Sequence, residues 1–163
     1  HIHEYTHSVQ PAPWIGLSAH PQSRANASCW LIEGNAHFTG YSAGITDYPS
    51  YLGLRSQAAR GRHYDEQFSD YSTPKILEHY DNSTPLACIE RTDYVLGYSV
   101  GLLTVEALSA IAGSDSSMYL YKYMSHGRTF EEAFETIYGS PWEEAKPVLA
   151  AFVSSSIERS FDN

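Results

Sequence analysis

The chain has 163 residues and a mass of 18.2 kDa, the size of one domain with room for a proper core. A hydrophobic fraction of 42% against 18% charged residues excludes a disordered chain, and a formal charge of −9 argues against nucleic acid, whose phosphates call for a basic face. No apolar run approaches the roughly 20 residues that cross a bilayer, so no membrane span is expected.

Taken in order, the sequence predicts helices joined by short polar breaks. Residues 1–10 form a helix stopped by Pro11 and Pro13. A second helix covers 28–42, around "SCWLIEGNAHFTGY". A third spans 49–60, with a proline at its start and Gly61 just past its end. Residues 62–90 are polar and irregular, with one short helix near 74–80, and their composition is that of a lid. A long apolar helix runs from about 93 to 112, ended by Gly113, and Ser114 caps another that reaches Ser125. Thr129 and Glu132 form a capping box for a helix to Tyr138, followed by Gly139. Ser140-Pro141-Trp142-Glu143 has the same form, and the helix it opens must either kink at Pro147 or restart there. No strand alternation and no internal repeat is visible, so the expected class is mainly α, one helical unit over 1–163.

Two cysteines, Cys29 and Cys88, allow one disulfide. Asn26-Ala27-Ser28 and Asn82-Ser83-Thr84 are N-glycosylation sequons, the second weakened by Pro85. With the low lysine content and the many tyrosines, these features point to a secreted or extracytoplasmic protein.

Chemistry enters at the third residue. His3-Glu4-Tyr5-Thr6-His7 spells H-E-x-x-H, and on a helix residues four apart share a face, so two imidazoles meet one ion. A catalytic zinc site takes three protein ligands and keeps a fourth position open. Glu33, 26 positions after His7, sits within the apolar turn Trp30-Leu31-Ile32-Glu33-Gly34, where a carboxylate needs a partner or a metal. The intervening segment is long enough for a second helix to return to the first. The expected ligand set is therefore His3, His7 and Glu33, with one zinc per chain.

"HEYTHSVQ", then "WLIEGNAHF", then "YSVGLLTVEAL" together resemble the gluzincin zinc metallopeptidases, and more closely the bacterial peptidase domains related to aminopeptidase N. The motifs span residues 3–112, and the tail "GRTFEEAFETIYGSPWEEAKPVLAAFV" is similar to the helical pairs that end such domains. The resemblance implies zinc-dependent peptide-bond hydrolysis, with Glu4 as general base toward the attacking water and a peptide or protein as substrate. Tyr98 of Tyr98-Ser99-Val100-Gly101 matches the tyrosine that stabilises the oxyanion, although Tyr94 opens an equally good Y-x-x-G one turn earlier.

Two departures stand out. Members of the group usually carry an acid four positions after the glutamate ligand, where it orients a zinc histidine. Here that position is His37, which either supports or approaches the metal or is a half-buried bystander, and Asp47 or Asp93 is the substitute acid. The remaining histidines, His20, His63, His79 and His126, lack ligand spacing and are expected on the surface. In the group, moreover, a β-sheet that docks the substrate precedes the H-E-x-x-H helix, and this chain shows none. The chain is thus expected to be the C-terminal, zinc-binding part of a longer peptidase. Two other readings remain: an inactive zinc-binding helical domain with a binding or structural role, or a copper protein using a mature N-terminal His1.

Overall fold

The structure is a computed structural model describing residues 2–14, 27–61, 70–84 and 94–162, with Trp14, Tyr94 and Val95 described by backbone alone. Among the described residues every regular element is helical: α1 (Ile2–Val9), a 3-10 turn (Ala12–Trp14), α2 (Cys29–Gly44), α3 (Tyr48–Ala59), α4 (Thr73–Asn82), α5 (Tyr94–Ala112), α6 (Ser116–Ser125), α7 (Phe130–Tyr138) and α8 (Trp142–Phe161). The mainly α class is as expected.

The core is built on α2 and α5. Val100, Leu102, Leu103, Val105 and Leu108 of α5 are all buried, which takes in every side of the helix. Over that stretch the helix is largely enclosed and belongs at the centre, while its last turn emerges into solvent, with Ile111 exposed. It crosses α2 where Gly34 meets Gly101, so closely that a Cβ on either residue would collide with backbone of the other helix. The start of α2 is anchored by aromatic packing. Trp30 stacks on Trp142 of α8 at 5.6 Å between ring centroids, and Phe130 and Phe134 of α7 meet Trp142 at 5.2 and 5.0 Å. Ser28 makes no side-chain cap; instead the Trp30 N–H donates to Ser83 Oγ beyond the end of α4. On the far side, Arg55 and Tyr51 of α3 both donate to Glu106 of α5.

Several local expectations need correction. The cap of α6 is Asp115, not Ser114, because the turn after Gly113 (φ 95°) runs one residue further before the helix closes. At α8 the cap is Pro141 and makes no side-chain bond, so Ser140 and Glu143 form no capping box; Glu143 pairs with Lys146 instead. Pro147 lies within one continuous helix rather than starting a new one. Its missing N–H costs the bond to the Glu143 carbonyl, which burial of Leu149, Ala150, Val153 and Ile157 further along offsets. The box at Thr129 and Glu132 forms with both bonds, and Gly139 closes that helix in the left-handed region at φ 73°.

No single helix is long and apolar enough to cross a membrane; α5 and α6 would pass together only as a pair bent by 94°. Cys29 is disulfide-bonded, while Cys88, the only other cysteine, lies outside the described residues. So do Asn26, much of the expected lid (62–69 and 85–90), and the residues His1, His20, His63 and Asp93.

Candidate metal centre

Three helices supply the site. On α1, His3 and His7 stand one turn apart on the face that meets α2. Gly40 of α2 lies under His3, where even an added Cβ would sit in ordinary contact at 3.5 Å from the His3 Cβ. Glu33 projects from α2 one turn past the Trp30 anchor and is 7% exposed. Tyr98 comes from α5, one turn before the Gly101 crossing.

The three expected ligand atoms converge. His3 Nε2 and His7 Nε2 are 3.1 Å apart, and Glu33 Oε2 is 3.5 Å from the first and 3.3 Å from the second. A tetrahedral zinc with bonds of about 2.0–2.1 Å places its ligand atoms about 3.3–3.4 Å from one another. The observed edges, 3.1 to 3.5 Å, are of the size that lets one small ion touch all three atoms. The three atoms are the one such group of histidine, cysteine and acidic side chains among the described residues.

Glu33 Oε2 is sealed from water yet has no hydrogen bond of good geometry, an arrangement that is costly for a carboxylate. Burial pushes its carboxyl upward, but His3, His7 and the Tyr98 phenol outweigh burial and hold it down at about 2. The imidazole nitrogens are near enough to act on the charge, but at 3.3 and 3.5 Å they do not satisfy the oxygen. His7 is raised above its ordinary value by Glu33, against the effect of burial, with help from Gln10 and from the nearby charge of Glu4.

The surroundings sort the remaining expectations. Tyr98 stacks on His3 (5.9 Å, 19°) and its phenol reaches Glu33; the Tyr94 side chain lies outside the described residues. His37 is buried, with its ring 4.7 Å from that of His3 and 4.6 Å from that of Tyr98, outside the three-atom group. Glu4 is exposed on the solvent side of α1, next to His3. Asp47 is not the substitute acid, since it caps α3 by accepting from the Ser50 N–H. His79 is not on the surface: it is 2% exposed, sharing the inner face of α4 with Ile76 and Tyr80 at positions i, i+3 and i+4. His126 is exposed as expected.

Sequence reasoning missed Gln10. It is 3% exposed, its Oε1 is 3.0 Å from His7 Nδ1, and its Nε2 donates to the Ile32 carbonyl at 2.8 Å and to Asn35 Oδ1 at 3.3 Å. Its position three residues after His7 was the available signal, but an i, i+3 spacing alone does not separate a supporting amide from an ordinary surface one.

The chain matches no protein-family model, no curated protein and no solved structure.

Proposed function

We propose that this chain binds a zinc ion that hydrolyses peptide bonds by attack of water, as in a zinc-dependent peptidase. The observation that carries the reading is the convergence of His3, His7 and Glu33 on one point, a donor set of the kind zinc takes, with the two imidazoles keeping 21% and 18% of their surface in water. A zinc ion held by these three residues would polarise a carbonyl and bring the pKa of water down to about 7. Glu4, the residue after His3 and exposed, would take a proton from the attacking water and return it to the leaving amine. Tyr98 donates to Glu33 and would be the donor to a developing oxyanion. One disulfide-bonded cysteine favours an oxidising compartment, in keeping with an exported enzyme acting on peptides or proteins.

The test is elemental analysis of the protein as purified, beside Glu33→Ala. About one zinc per chain, sharply weakened in the variant, supports the reading. Another metal, or zinc indifferent to Glu33, sinks it. Turnover of a peptide library then separates the enzyme from an inactive zinc-binding domain.

A further inference from the structure

We infer that Gln10 is a positioning residue for the metal: it fixes the His7 ring so that Nδ1 carries the proton and the Nε2 lone pair faces the ion, and it locks the two ligand-bearing helices in register. The inference rests on the proposed zinc site and adds a residue that no H-E-x-x-H pattern specifies.

The orientation of the amide follows from its partners. A backbone carbonyl can only accept, so the Gln10 atom at 2.8 Å from the Ile32 oxygen is the NH2 group. The same NH2 group donates to Asn35 Oδ1 at 3.3 Å, which leaves the Asn35 NH2 to donate to Ser117 Oγ at 2.6 Å. Asn35 and Ser117 are 1% and 0% exposed, so no water competes for these bonds. Gln10 Oε1 is thereby turned toward His7. An amide oxygen also only accepts, so His7 Nδ1 must carry hydrogen, and Nε2 is left as the ligand atom.

The relay Ser117–Asn35–Gln10–His7 starts on α6, crosses α2 and ends on α1. Its contact at Ile32 is the residue before Glu33, so a single side chain holds His7 and sets its distance to the carboxylate ligand. Metal-bound histidines commonly donate their second N–H to a carboxylate or a carbonyl. Here an amide oxygen serves that role for His7.

The test compares zinc affinity, by competition with a chelator, in wild type, Gln10→Met and Gln10→Glu, with thermal unfolding of each metal-free protein as the folding check. Methionine keeps the length but not the acceptor, and about 10- to 100-fold weaker zinc binding is expected. Glutamate keeps the acceptor for His7 but loses the donors to Ile32 and Asn35, so its affinity should fall between those of Gln10→Met and wild type. Wild-type affinity in Gln10→Met overturns the inference and leaves the zinc site standing, as does equal loss in both variants accompanied by equal loss of Tm. A wild type that holds no zinc overturns both. A measurement on the zinc-loaded wild type needs no variant: the His7 Nδ1 proton should be visible by NMR and protected from exchange, and an unprotected proton there overturns the inference.

Discussion

Gly34 of α2 and Gly101 of α5 occupy each other's missing side chains, and the crossing they permit brings Glu33, adjacent to the first glycine, to Tyr98, one turn before the second. The glycines of W-L-I-E-G and Y-x-x-G are therefore two halves of one packing contact. In an open helix, Gly→Ala gains up to about 1 kcal/mol. At Gly34 or Gly101 the added methyl meets backbone, which cannot step aside, so Gly34→Ala and Gly101→Ala should each lose about 1–3 kcal/mol or more in urea unfolding, together with zinc affinity. Gly53 is the internal control. It lies within α3 with nothing within 4 Å of a Cβ, so Gly53→Ala should be neutral to stabilising. Equal effects at all three sites would remove the crossing as an explanation.

That crossing also shows what was legible in the sequence. Helix spans came through because prolines, capping residues and closing glycines punctuate them, as at Thr129, Glu132 and Gly139. The three metal-site candidates came through because Glu33 in an apolar turn contradicts its surroundings unless something pairs with it. Gln10 and Asn35 did not, because their partners lie up to 82 positions away and a buried amide has no local signature. His79 was misplaced for a related reason: a histidine on an inner helix face looks like any other until the helix is oriented.

Tyr98→Phe removes one hydroxyl and leaves the ring that stacks on His3. If the phenol stabilises the transition state, kcat should fall about 100- to 1,000-fold while zinc content and KM change little. A loss confined to KM would mean that Tyr98 binds substrate rather than the developing charge.

Glu4→Gln changes an exposed side chain that contacts none of the three ligand atoms closely enough to pair with them. Stability and zinc stoichiometry should stay at wild-type levels while peptide turnover all but disappears, as expected when a general base is lost. Unchanged turnover would reassign the base, with His37, beside His3 and Tyr98, next to be examined.

The metal-free protein should have its own pH signature. Glu33 is held at about 2, below its ordinary 4.5, so its contribution to stability is complete above about pH 4.5 and drains away as pH falls toward 2. His7 is shifted the other way, above its ordinary 6.5, so its contribution is complete below about pH 6.5 and is lost as pH rises through the raised value. Both act together only between those limits, and Tm of the chelator-treated protein should peak there. Zinc reverses the alkaline side, because a bound ion needs the unprotonated imidazole: the stabilisation given by added zinc should grow with pH over the range in which the metal-free protein weakens. Glu33→Gln carries no charge to pair with His7, so in that variant the metal-free peak should flatten. A peak that survives the substitution would locate the pH dependence elsewhere in the chain and leave the His7–Glu33 pair without a part in it.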